Sequence, residues 1–153
     1  MSEAEKGILA FDPGVGGGVA ILRPPGYNNH GEIDLRPWTV EHEHIDLIRG
    51  LNPEDYDAVV EDVPPFVSAV TSNASSFKLG YNFGFLVGSL RALGFPVRLI
   101  KPKDWQKGLS GLKPKLGYTA RKRILKDNAI RLYPDLKITN ATADALLILN
   151  HVR

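Results

Sequence analysis

Apolar residues fill positions 7–12 and return at 19–22 after Pro13-Gly14 and the Gly16-Gly17-Gly18 turn, a spacing that predicts two antiparallel strands. Over 33–38, Ile33, Leu35 and Pro37 alternate with polar neighbours, which predicts a third strand; proline cannot donate to a ladder, so this strand suits a sheet edge. Ile45, Leu47 and Ile48 fit a short helix over 42–50, and the β-branched run at 57–61 predicts a buried strand ended by Pro64-Pro65. The polar stretch 67–75 reads as a connection into a long helix over 76–93. A strand at 97–100 follows, then a basic loop containing Trp105. Thr119 is placed to cap a helix running to about 132, stopped at Pro134, and a last helix runs from about 141 to the C-terminus. This order predicts an α/β fold, a hairpin-led mixed sheet of five strands flanked by helices. Right-handed crossovers can then set the strands ending at Asp12 and Glu61 side by side.

In the long helix Gly80, Gly84, Gly88 and Ala92 recur every four residues beside an aromatic stripe of Phe77, Tyr81 and Phe85. Glycine in a helix costs about 1 kcal/mol relative to alanine, so the stripe calls for close approach of another backbone. That backbone is either the protein's own sheet or a second copy across a two-fold axis.

The chain has 153 residues of ordinary apolar and charged content, enough for one core, so 1–153 is expected to form a single domain. Its longest uncharged apolar run, 145–149, is far short of the roughly 20 residues that span a bilayer, and the N-terminus lacks a signal-peptide core. A cytoplasmic protein without membrane contact is expected. The absence of cysteine removes disulfides and thiolate zinc sites, leaving oxygen or histidine to hold any metal. His42 and His44 alone have metal-ligand spacing, and they are expected on a solvated stretch; His151 is expected at the surface.

The net charge of +2 hides an uneven distribution: ten lysines and arginines fall between residues 98 and 126 with Asp104 as the only acid. Such a segment is either a solvated face or a surface for a polyanion. Arg121, Lys122 and Arg123 stand in the first turn of their helix, where cations oppose the dipole and are better explained by an anionic ligand.

Three acids carry the candidate chemistry. Asp12 and Glu61 each end an apolar strand, and Asp144 opens the C-terminal helix. A carboxylate at the tip of a half-buried strand is costly unless a cation meets it, and hard divalent ions take such oxygens as ligands. Singly, each acid has another reading: Asp12 a turn cap, Glu61 the partner of a core arginine, Asp144 a complement to the helix dipole. Together they point to a metal-dependent enzyme acting on nucleic acid. Asp62, one residue past Glu61, faces the other side of its strand.

The segments Phe11-Asp-Pro-Gly, Val60-Glu61, Lys78-Leu-Gly before a helix, and Ala143-Asp-Ala-Leu, in that order, resemble the RuvC-type Holliday junction resolvases of the RNase H-like superfamily, in the short format of the phage-type branch. The resemblance spans residues 7–153. It implies an RNase H-like mixed sheet and a homodimeric endonuclease of DNA recombination and repair. That enzyme would use two Mg2+ ions (Mn2+ also serving) held by Asp12, Glu61 and Asp144, and leave 5′-phosphate and 3′-hydroxyl ends. It also implies that Phe66, in the loop after Glu61, enters the junction, and that Lys101, Lys103, Lys107, Lys113 and Lys115 grip backbone phosphates. Trp105 has a stacking or a packing role.

Where the family carries another acid one turn before the last aspartate, this chain has Asn140. Four residues from Asp144, it shares a helix face and is a neutral candidate ligand, a helix N-cap, or a substitution that disables cleavage. Two other functions stay open: an RNase H-like nuclease acting on forks, flaps or RNA hybrids, and a junction-binding protein with impaired catalysis.

Overall fold

The structure, a computed structural model, describes residues 5–14, 16–27, 31–38, 43–64 and 71–153. Its elements are β1 (Gly7–Asp12), β2 (Gly18–Leu22), β3 (Ile33–Pro37), α1 (Glu43–Arg49), β4 (Tyr56–Glu61), α2 (Asn73–Ala92), β5 (Val97–Ile100), α3 (Pro102–Trp105), α4 (Tyr118–Leu132) and α5 (Asn140–Val152). They build one five-stranded sheet in the order β3-β2-β1-β4-β5. The first three strands are antiparallel neighbours, and β4 and β5 run parallel to β1. The expected mixed sheet is thus present, with Pro37 on the edge strand.

Strand alternation sorts the core into two layers. Ala10, Ala20 and Val59 face one side and pack with Leu125, Ala129 and Leu146 of α4 and α5. Leu9, Phe11, Val19 and Ile21 face the other and pack with Ile48, Leu86 and Leu90 of α1 and α2. Ala10 and Ala20 are paired across β1 and β2, and such small residues let α5 lie close to the sheet. Every residue of α5 from 142 to 149 is buried, as expected of a helix apolar on all sides, because the sheet lies beneath it and α4 over it. At roughly 1.5–3 kcal/mol per buried large aliphatic side chain, Leu146, Leu147, Ile148 and Leu149 make this helix the main anchor of its layer. Gly18 fixes its approach: a Cβ there would meet the carbonyl oxygens of Arg36 at 2.7 Å and Ala141 at 2.9 Å, so only glycine admits the first turn of α5 against β2.

Helix boundaries depart from the sequence expectation for identifiable reasons. α2 begins three residues early because the Ser72 hydroxyl accepts from the Ser75 N–H at 3.1 Å. α4 starts after Gly117, which leaves Thr119 inside the first turn and not at its cap. α5 is capped by Thr139, whose N–H donates to Thr142 Oγ1 at 3.1 Å; Asn140 is therefore the first helical residue and not the cap. The segment expected as a basic loop contains the short helix α3.

Two further expectations are corrected. Gly80, Gly84 and Gly88 lie exposed, and among the described residues a Cβ on any of them would meet nothing within 4 Å, so of the two packings expected for the stripe, the one on the protein's own sheet is absent. His44 is buried against Trp38 and Phe85 instead of solvated, while His42 lies outside the described residues. His151 is exposed, as expected. No helix among the described residues is long and apolar enough to cross a membrane.

Candidate functional site: three carboxylates around a lysine

Asp12 shares its strand face with Ala10, and Glu61 shares its face with Val59, so both carboxylates project from the ends of adjacent parallel strands toward α5. Asp144, in the second turn of α5, meets them there. Asp12 and Asp144 are each 6% exposed. Asp12 Oδ1 accepts the Gly14 N–H at 3.0 Å, so this aspartate caps its turn and serves the site at once. Glu61 Oε2 accepts the indole N–H of Trp105 at 2.7 Å.

The cation between the acids is the ammonium of Lys122. Its Nζ donates to Asp144 Oδ2 and lies 3.9 Å from Asp12 Oδ2. Asp144 Oδ1 is buried without a hydrogen-bond partner among the described residues.

This cluster is electrostatically loaded. Burial, then the Asp144 charge, raises the Asp12 carboxyl above its ordinary value, against the pull of Lys122 and the Gly14 N–H. Burial, with repulsion from Asp12 and Asp144, pushes Glu61 up to about 8, although the Trp105 bond and Lys122 act the other way. For Lys122 burial works against the charge, but Asp144 and Asp12 outweigh it and the ammonium is held more firmly than usual. Two buried carboxyls and a half-buried third beside one lysine leave acceptor oxygens to spare, and an orphaned buried oxygen is the kind of atom that calls for a ligand.

Hard carboxylate oxygens with spare acceptor capacity suit a hard divalent cation: Asp12 Oδ2 and Asp144 Oδ2 meet at Lys122 Nζ, and Glu61 lies near enough to feel both charges. With the side chains as they stand, no group of three or more His, Cys, Asp and Glu among the described residues is arranged to hold a metal. Glu61 is engaged by Trp105, and Lys122 occupies the space between the other two.

The remaining sequence candidates divide. Lys101, Lys103, Lys107, Lys113 and Lys115 are exposed, the first three around α3, whose Trp105 touches Glu61. Arg123 is exposed, but the Arg121 guanidinium donates to Gln106 Oε1 and Lys122 turns to the acids, so these two do not stand as free phosphate-binding groups. Asn140 is exposed one turn ahead of Asp144. Phe66 lies outside the described residues. Sequence reasoning placed Lys122 among the cations for an anionic ligand and gave Trp105 a stacking or packing role, and it missed both as partners of the acids. A signal for each existed: Lys122 is three residues from the buried Leu125 on the inward face of α4, and a buried tryptophan seeks a partner for its N–H.

No protein-family model and no curated protein matches the chain. Solved structures do. "T. thermophilus RuvC in complex with Holliday junction substrate" matches with a TM-score of 0.57 and 15% identity, over 94% of this chain and 89% of that one. "Thermus thermophilus RuvC structure" matches at 0.50 and 17%, over 93% and 90%. At such identities the likeness speaks for architecture, and the architecture is plain: the chain has the RuvC-type, RNase H-like fold.

Proposed function

We propose that this protein is a structure-selective endonuclease that resolves four-way DNA junctions by metal-dependent phosphodiester hydrolysis, leaving 5′-phosphate and 3′-hydroxyl ends. The observation that carries the reading is the meeting of Asp12 and Asp144 at one cation, with Glu61, from a third distant segment, close enough for both charges to raise its carboxyl. Junction DNA is bound by the RuvC of the solved complex, and that substrate is proposed here by analogy of fold. Two Mg2+ ions, or Mn2+, when bound would lower the pKa of the attacking water and stabilise charge on the leaving 3′ oxygen. Asp12 and Asp144 would hold them with two buried carboxylates, Glu61 would turn from Trp105 to complete the set, and Asn140 would offer a neutral amide oxygen from the preceding turn of α5. Exposed Lys101, Lys103, Lys107, Lys113 and Lys115, with Arg123, would supply salt-dependent affinity for phosphates. Phe66 is proposed to enter the junction. The expected setting is the cytoplasm of a bacterium or a phage-infected host.

A four-way junction needs two nicks, and a two-fold dimer offers two sites. The exposed face of α2, with Gly80, Gly84 and Gly88 beside Phe77 (75% exposed) and Tyr81 (50% exposed), supports dimerisation there. Gly84→Leu should give monomers by light scattering; a persistent dimer would refute the placement.

Cleavage of labelled four-way, forked and linear substrates in Mg2+ tests the function. Paired, symmetric nicks confined to the four-way junction are expected, and equal cleavage of forks would favour the fork nuclease. Because Thr139 and not Asn140 caps α5, a second reading, junction binding with impaired catalysis, keeps its support. Asn140→Asp should raise cleavage at least about tenfold, the lower end of what groups around metal ligands contribute. Tight binding without cleavage in that variant would favour the second reading.

A further inference from the structure

We infer that Lys122 is a resident counter-ion: it holds Asp12 and Asp144 together while the site lacks divalent metal, and it must swing out before metal can enter. This rests on the reading of the acids as metal ligands. The ammonium bonds Asp144 Oδ2 and lies 3.9 Å from Asp12 Oδ2, so it occupies the volume that an ion bridging those two oxygens would need. Two cations cannot share that space.

The geometry also provides an exit. The Lys122 side chain is 23% exposed, against 9% for Asp12 and 8% for Asp144, so the lysine forms the solvent side of the cluster. Leu125 and Ala129, buried on the same face, fix the backbone of α4. Only the flexible four-carbon stem has to rotate, and an ammonium is readily rehydrated. The ammonium is moreover a poor substitute for the ion it stands in for: it leaves Asp144 Oδ1 without a partner among the described residues and does not engage Glu61, whose bond goes to Trp105. A divalent cation would use both, and that difference drives the exchange. Lys122 therefore sets a threshold, making the folded protein tolerant of an empty site at the expense of metal affinity.

The test is Mn2+ binding to the full chain without DNA, read at pH 8 from the loss of the free Mn2+ spin-resonance signal. Lys122→Gln should bind Mn2+ about tenfold or more tightly than wild type, and Lys122→Arg, which keeps a cation, should not. The metal-free Lys122→Gln protein should melt below wild type, with the gap closing as Mn2+ saturates both. Unchanged or weaker binding by Lys122→Gln, with binding abolished in Asp12→Asn, would overturn the inference and leave the metal site standing. No Mn2+ binding by either wild type or Lys122→Gln would overturn the metal site itself. Should Lys122→Gln not fold, the Lys122 ammonium resonance in wild type decides: it should shift as Mg2+ is added, and an unmoved resonance refutes the exchange.

Discussion

Replacing Glu61 with glutamine is expected to stabilise the metal-free protein at pH 8 while abolishing junction cleavage. Glu61 titrates near 8 in the folded chain, against an ordinary value of 4.5, because it is buried beside Asp12 and Asp144. Between those pH values the folded protein retains a proton that the unfolded chain releases. The stability linked to this group is therefore full below about 4.5 and is lost as pH rises through about 8. One such proton gives a slope of at most about 1.4 kcal/mol per pH unit, and the raised Asp12 adds to it in the same direction. Glutamine mimics the neutral carboxyl at every pH and can still accept from Trp105, so urea midpoints for Glu61→Gln should fall less steeply between pH 5 and 9 than those of wild type. Cleavage should drop by more than about a thousandfold, as for removal of groups that act directly in the chemistry. Equal slopes in the two proteins, or a Glu61→Gln protein that still cuts, would contradict this account.

Trp105 carries the second large effect. It is 2% exposed and packs in the same cluster as Leu125 and Leu146, so Trp105→Ala should cost about 3–5 kcal/mol of unfolding free energy. Trp105→Phe separates packing from bonding, since it keeps most of the apolar volume and removes the N–H that Glu61 Oε2 accepts. That bond favours the ionised carboxylate, so its loss should push Glu61 higher still; because a metal ligand must be ionised, cleavage is expected to rise as Glu61 deprotonates, and in Trp105→Phe that rise should move to higher pH. The check is a cleavage pH profile beside a urea titration. A Trp105→Phe protein matching wild type in both would show that the bond is incidental.

Much of this frame was written in the hydrophobic pattern. Alternation along β1 and β4 places Asp12 with Ala10 and Glu61 with Val59, but that the two pairs share one sheet face follows from the Ala10–Val59 register, which the sequence does not state. The Pro13-Gly14 and glycine turns gave the hairpin, and Pro37 marked the edge. Periodicity tells which residues of a helix share a face but not which way that face turns. The glycine stripe of α2 points outward because Leu86, Val87 and Leu90 supply the buried contact. Nor does a basic run declare its members' directions. Arg121, Lys122 and Arg123 read as one patch, yet helical geometry sends Arg123 to solvent, Arg121 to Gln106 and Lys122 inward to the acids. Trp105 was hidden because its bond to Glu61 spans 44 residues and depends on α3 packing beside α5.

The central claim, that Asp12, Glu61 and Asp144 form one divalent-cation site, is tested most directly by an anomalous difference map from crystals soaked in Mn2+ at pH 8. The account predicts a peak ligated by Asp12 and Asp144 at about 2.0–2.2 Å, the range for small hard divalent cations, with Glu61 turned away from Trp105 and Lys122 displaced. A map with no peak between those carboxylates, and Lys122 still bonded to Asp144, would contradict it.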